Sequence, residues 1–549
     1  MAAVAYDAQG ATELRLMARA RRRHRAAGVD IFEGFYQAYL TAFACGVAVL
    51  LSSDAIGDRT LDAAQMHDVI TRGPALIGLG IAIVWAVAVR SGARGGPLVL
   101  PAADVRHVLL APVRRDQALR APAIRQVRFS AFVGLIIGAG LGVLASHRLG
   151  GGGAPTWVPV GAAVGVAAGA CTAGLGLLCS GRRVRPWQGL LIAAGLLAWS
   201  GVDVALGRAT SPMGLLGEFA LLPLKFRPAS VATAAFVVVV CVAAVLGIGG
   251  LSIEQAERRA TLASQIRFAL TLQDLRTVVL LRRQLTQEQS RPRPWVRLGP
   301  LSHGQHVVWH RDVRGVNRWP AVRVVRLVAC GMVAGAALAG TFAGTTPLII
   351  VAALALFLAG LEALEPLAQD IDHPDLPSST PTVPGQLRLA HAPVPLAVMV
   401  GVSLVGWATV LVMAAAGLFS VHLAVTVGAP MVVPAALLAF VGAVVSVVME
   451  PPSGGGDFLP AEIAGVKVVL RAVWSPALVV IGLTPVLVAR SALHHTGAHP
   501  TSPGAAALSA SFLPLTVGIL GLGWLRFRED IRQSFSMQPP PKQAQPASA

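Results

Sequence analysis

Long apolar runs recur along nearly the whole chain, each closed by a short cluster of arginine, glycine or proline. Each run is long enough to cross a bilayer. A hydrocarbon layer about 30 Å thick takes roughly 20 apolar residues in helical form. Backbone polar groups in that layer must bond internally, which excludes open strands. The pattern predicts an all-α polytopic membrane protein with about twelve transmembrane helices. They fall at about 35–53, 74–90, 129–146, 157–179, 187–206 and 230–250, then at about 323–342, 346–364, 394–418, 429–448, 466–489 and 507–526.

Between the sixth and seventh runs the pattern changes from uniformly apolar to amphipathic. In Ile253 to Gln289, Ile266, Leu270, Leu275, Val278 and Leu281 fall on one helical stripe, bordered by Arg258, Arg259, Arg267, Arg282 and Arg283. Such a helix suits an interface or a docking partner. Arg291-Pro292-Arg293-Pro294 then stops it. The expected organisation is a basic N-terminal segment (1–30), a six-helix half (31–250), a basic connecting segment (251–322), a second six-helix half (323–526) and a Pro- and Gln-rich disordered tail (527–549).

Composition agrees with this pattern. Hydrophobic residues make up 54% of the 549 and charged residues 13%, and the mean hydropathy is +0.66. The net charge of +18 would suggest nucleic acid in a soluble protein, but no basic domain with stacking aromatics is present. Arginine here marks the cytoplasmic face and meets anionic lipid headgroups. With the N-terminus inside, seven of the 45 basic residues fall outside: Arg59, Arg72, Arg148, Arg208, Lys225, Arg227 and Arg490. An even helix count returns the C-terminus to the cytoplasm. The expected location is a plasma membrane, and the Arg-over-Lys, Ala- and Gly-rich usage suits a GC-rich bacterial genome. The first 30 residues are polar and basic without a cleavable-signal pattern, so the first span is expected to act as the insertion signal. Cys45, Cys171, Cys179, Cys241 and Cys330 lie in or beside apolar runs and read as packing residues.

The halves look related. Pro97-Leu98, Pro112 and Leu119-Arg120 in the first match Pro366-Leu367, Pro381 and Leu387-Arg388 in the second, at offsets of 269, 269 and 268 residues. Both halves would start inside, giving parallel repeats about an axis along the membrane normal.

Three segments are candidates for function. In the loop 90–128, Asp104, Arg106 and His107 sit among Val105, Val108, Leu109 and Leu110 in a short amphipathic helix. Arg114, Arg115 and Asp116 then form a second short turn or helix. An apolar loop outside the membrane needs a cover, either headgroups or a cytoplasmic partner. Before the seventh span, Arg311, Asp312, Arg314 and Arg318 precede the interfacial Trp319 and Pro320. Between the fifth and sixth spans, Met213 to Leu224 surrounds a single Glu218. This piece is too short to span and reads as re-entrant or as an apolar loop packed on the bundle.

Together these features resemble the ABC-2-type exporter permeases, in a form with two fused six-helix halves. The resemblance covers the architecture of nearly the whole chain, while its residue motifs are weak. It implies an interfacial helix at Arg19 to Gly28, a coupling segment at Ala102 to Arg120 and a re-entrant element at Met213 to Leu222. In the second half it implies counterparts at Arg311 to Pro320 and Glu365 to Arg388. A separate ATPase subunit would dock on these segments. The second coupling-type segment departs from the first in being acidic and Pro-rich, and Ala498 to Pro503 has no apolar re-entrant pattern. The equivalence of the halves is therefore open.

No Gly-x-x-x-x-Gly-Lys-Ser/Thr loop is present, so the chain is expected to be a non-catalytic subunit with no cofactor. Two other classes stay open: a secondary transporter, or a non-catalytic membrane partner in envelope assembly. Ion coupling needs ionisable groups at membrane depth, and these runs hold few: Asp203, Glu362, Glu365 and Arg471 lie near helix ends. Asp372-His373-Pro374-Asp375 reads as a rigid linker before a metal site, and neither His303/His306/His310 nor His494/His495/His499 makes a convincing ligand set. Self-association is compatible with the sequence but not specified by it.

Overall fold

The computed structural model describes residues 63–98, 100–111, 114–150, 152–228, 232–271, 290–297, 299, 307–372, 383–448, 474–494 and 502–535, with 12, 16, 17, 19 and 20. Helix dominates and no strand occurs among these residues. Nine described helices are long and apolar enough to cross a membrane, or ten if one bent pair counts as a single span. The chain is a multi-pass membrane protein. The expected span at 35–53 lies outside the described residues, as do the first eight residues of the expected span at 466–489 and the segment 272–289 of the amphipathic stripe.

The chain divides into two compact units at Arg267/Phe268. In the first, α1 (Ala63–Gly92) leads to the short α2 (Ala102–His107) and the long α3 (Arg115–Arg148). Then come α4 (Ala154–Gly181), α5 (Pro186–Leu206), α6 (Pro212–Ala220), α7 (Ala232–Gly247) and α8 (Ile253–Thr271). At 34 residues α3 is about 51 Å long, well beyond the hydrocarbon thickness. The span expected to start near 129 is therefore the inner part of a helix that begins at Arg115. This corrects the expectation of a separate turn for Arg114, Arg115 and Asp116: Arg114 caps α3, and Arg115 and Asp116 are in its first turn.

Helices α3 and α4 pack through facing glycines. A Cβ on Gly134 or Gly138 would collide with the carbonyl oxygens of Gly165 and Gly161, and one on Gly142 would lie 2.5 Å from that of Trp157. Lipid offers little hydrophobic drive for helix association, so close backbone approach supplies dispersion contact instead. At the core of the unit, Trp85 is fully buried and its indole donates to the Ala168 carbonyl at 3.2 Å.

The second unit holds α9 (Val307–Val316), α10 (Ala321–Phe342), α11 (Leu348–Ala363), α12 (Glu365–Asp372), α13 (Pro384–Ala390) and α14 (Pro393–Ala415). It continues with α15 (Val421–Val448), α16 (Trp474–Gly482), α17 (Thr484–His494) and α18 (Pro503–Phe535). The central helix is α15, apolar on all sides and 89% enclosed in its most apolar stretch, as an all-round hydrophobic helix should be. Helix α11, expected to span at 346–364, is shorter, with 16 residues. The axis bends by 47° between α16 and α17. Pro485 has no N–H to give the Ile481 carbonyl, and the Thr484 hydroxyl donates to that oxygen instead, at 2.8 Å.

Candidate functional site

Candidate coupling residues gather at one end of each unit. In the first unit, Val105 and Leu109 of the α2 segment are buried with Leu98, Leu119, Ile248 and Ala256. The chain's own residues thus cover the apolar side of the loop, with Leu251 and with Ala256 and Ala260 of α8 in the same cluster; the side chains of the expected stripe lie outside the described residues. The cover that the sequence seemed to require from a partner or from lipid is internal for all but Leu110, which is 66% exposed. The charged side faces outward. Arg106 and His107 are exposed and Asp104 is half-buried.

Polar contacts fix this platform. Arg106 Nε donates to Glu257 of α8 at 3.1 Å, and Arg259 donates to the Arg94 carbonyl at 3.2 Å. Burial lowers the pKa of Arg259 from its ordinary value. Asp116 accepts from Arg114 and Arg120, each at 3.3 Å, as the first-turn acid of a helix should. Arg183, at φ 52°, donates to the Gly250 carbonyl at 2.7 Å. The geometry is a short charged helix clamped to a rigid base.

In the second unit the four residues named from sequence separate. Arg311, Arg314 and Arg318 are exposed, whereas Asp312 is buried. Its Oδ2 lies 2.5 Å from Nδ1 of His391, which is fully buried at the joint between α13 and α14. Arg311 Nη2 lies 3.3 Å from the other ring nitrogen. Guanidinium can only donate, so the pattern assigns a ring that accepts at Nε2 and donates from Nδ1 to Asp312. Asp312 thus ties α9 to the start of α14.

A second cluster escaped sequence reading. Arg323, 3% exposed, donates to the Glu362 carbonyl and to the Glu365 carboxylate. Arg326 donates to the Glu362 carboxylate at 2.9 Å. The Arg323 guanidinium stacks on Trp319, 3.7 Å from the ring centre. The acids were visible near an inner helix end, but their partners lie 36 to 42 residues away, and only the α10–α11 hairpin brings them together.

At the opposite end of the first unit, Asp203 accepts from the backbone N–H groups of Thr210 (3.1 Å) and Ser211 (2.9 Å). It thereby holds the start of α6, which Ser211 caps by accepting from Gly214 at 3.0 Å. Met213, Leu216 and Glu218 are buried, and Glu218 pairs with Arg227. The expected short element at Met213 to Leu222 is thus helical and packed. In the second unit Arg490 gathers the carbonyls of Thr341 (3.2 Å) and Gly344 (2.9 Å).

Among the described residues no group of three or more His, Cys, Asp or Glu converges as a metal set. Of the second coupling-type segment expected at Glu365 to Arg388, the two ends are helical (α12 and α13), while 373–382, with most of the Asp372-His373-Pro374-Asp375 motif, lies outside the described residues. No family model, curated protein or solved structure matches the chain.

Proposed function

We propose that this chain is the membrane-spanning subunit of an ATP-driven exporter, worked by a separate ATPase that docks on the α2 platform and the exposed arginines of α9. The reading takes the chain as two six-helix halves with both termini cytoplasmic, as the arginine distribution favours. The observation that carries it is the construction of α2. Its apolar side packs in one cluster with Ala256 and Ala260 of α8, and its outward Arg106 and His107 precede, by a short connection, a helix that runs from Arg115 to Arg148. A push that reaches Arg115 is carried along a single helix into the α3–α4 hairpin. In the second unit the Asp312–His391 contact gives α9 a similar hold on α14.

Ion-coupled transport finds less support. Coupling needs a group that can take up and release its ion. The carboxylates of Asp203 and Glu362 are instead occupied by donors of their own unit.

The test is co-purification in mild detergent. An ATPase subunit should accompany the chain, and Arg114→Glu with Arg115→Glu should abolish that association while the protein stays folded. Recovery of no ATPase, together with intact cellular function in the charge-reversal variant, would overturn the proposal.

A further inference from the structure

The second unit carries a groove of about 410 Å³, within the size range of small-molecule sites. Val324 and Val328 of α10 form one wall, and Gly401 and Val405 of α14 the other. Trp295 and Trp319 close its end. The groove opens away from the bundle, since Val324, Val328 and Gly401 are exposed. Its depth comes from Gly401: a Cβ there would meet no atom within 4 Å.

The closed end is a built structure. Residues 290–297 are strapped to the turn after α9. Arg291 N donates to the Arg318 carbonyl at 2.9 Å, and Trp295 N to that of Asn317 at 3.0 Å. The Trp295 indole donates to the Trp319 carbonyl at 3.0 Å. Asn317, the one polar residue among those lining the groove, bonds both the N–H and the C=O of Val296. Its amide is therefore spent on the strap, and the rest of the wall is apolar.

Charge is equally one-sided. The Arg291 guanidinium stacks on Trp295, 3.7 Å from the ring centre. Arg293, Arg297, Arg314 and Arg318 are exposed close by in sequence. Between Ser290 and Trp319 the only acid is Asp312, which is buried against His391. An apolar trough running along two membrane helices and ending in an arginine-rich strap fits one class of molecule.

We propose that this groove binds an anionic phospholipid, one acyl chain lying between α10 and α14 and the phosphate held at the strap by Arg291 and its neighbours. Trp295 and Trp319 would sit at headgroup depth, where aromatic rings are favoured. Arg291, already held over a ring, loses little further freedom when it meets a phosphate. Every contact is made by the second unit, and no residue of the α2 platform takes part.

Native mass spectrometry on the purified full chain tests this. Delipidated protein is titrated with equal amounts of dioleoyl phosphatidylglycerol and dioleoyl phosphatidylcholine. One phosphatidylglycerol should be retained per chain, at least tenfold over phosphatidylcholine. Arg291→Ala with Arg293→Ala should erase that preference and leave phosphatidylcholine retention unchanged. Gly401→Leu, whose Cβ meets no atom within 4 Å and whose remaining side chain fills the trough, should cut retention of both lipids about tenfold. Val328→Phe fills it from the other wall and repeats the test if Gly401→Leu fails to fold. Glycerol 3-phosphate should not displace the lipid. Equal retention of the two lipids by the wild type, wild-type phosphatidylglycerol occupancy in a folded groove-filling variant, or displacement by glycerol 3-phosphate would each overturn the proposal.

Discussion

Arg323 offers the sharpest physical test of the second unit. Its side chain is 4% exposed and faces Glu362 and Glu365, with Arg326 completing a set of two cations and two anions. Replacing it by leucine leaves two carboxylates facing one guanidinium. Breaking a buried ionic group by removing one partner costs about 3–5 kcal/mol, chiefly from the charge left behind. Loss of the contact with Trp319 adds about 0.5–2 kcal/mol. The contrasting variant is Arg323→Leu with Glu365→Leu. It keeps the Arg326–Glu362 pair at 2.9 Å and replaces the other pair by apolar volume, an exchange that is often neutral or stabilising. The double variant should therefore recover most of the loss. Unfolding in mixed micelles titrated with sodium dodecyl sulfate reads both changes. The reasoning fails if the single variant lies within about 1 kcal/mol of the wild type, or if the double variant is no more stable than the single.

His391→Ala should strip buried Asp312 of its ring donor, cost about 1–3 kcal/mol, and speed hydrogen–deuterium exchange in 307–316 more than in α15; unchanged exchange in α9 would count against the clamp. Gly138→Val should wedge α3 from α4 and cost about 1–3 kcal/mol by overpacking, seen as a lower unfolding midpoint and loss of a 134–165 cysteine cross-link. Asp203→Ala should free the start of α6, making a cysteine placed at Met213 reactive to aqueous maleimide, where the wild-type background stays protected. Arg106→Ala should change stability by less than about 1 kcal/mol, because its pair with Glu257 is 63% and 45% exposed and such pairs contribute little; a larger loss would mean that the pair is structural.

Helix positions were legible because hydropathy responds to the one demand that dominates a bilayer-spanning chain, the satisfaction of backbone groups in hydrocarbon. The same signal misplaces helix ends wherever a helix outruns the membrane. Hydropathy falls at Arg128, yet α3 continues back to Arg115; even Pro122, about two turns in, removes one bond to the Ala118 carbonyl without ending the helix. The short α6 was readable from Met213 to Leu222, because a run too short to span yet too apolar for water leaves few alternatives. The cover over α2 was not. The sequence offered an apolar stripe from Ile266 on, and Ala256 and Ala260, which share a buried cluster with Val105 and Leu109, carried no signal of their own.

The charged residues divide along a different line. Position relative to a membrane edge can be read from sequence, but partnership cannot, because it depends on which helix ends the topology brings together. Arg323 and Arg326 counted only as two more basic residues near an apolar run. Asp312 looked like part of an exposed basic segment, and His391 carried no motif at all. All four become structural once paired. Among the residues left facing outward are Arg106 and His107 in one unit and Arg293, Arg314 and Arg318 in the other, with Arg291 half-buried against Trp295. An arginine used internally should make its variants lose stability before they lose any binding. An arginine kept for a ligand should do the reverse. Measuring unfolding and lipid or ATPase association side by side on Arg323 and Arg291 variants separates the two uses directly. If both variants lose stability in parallel, the division between internal and outward-facing arginines is wrong.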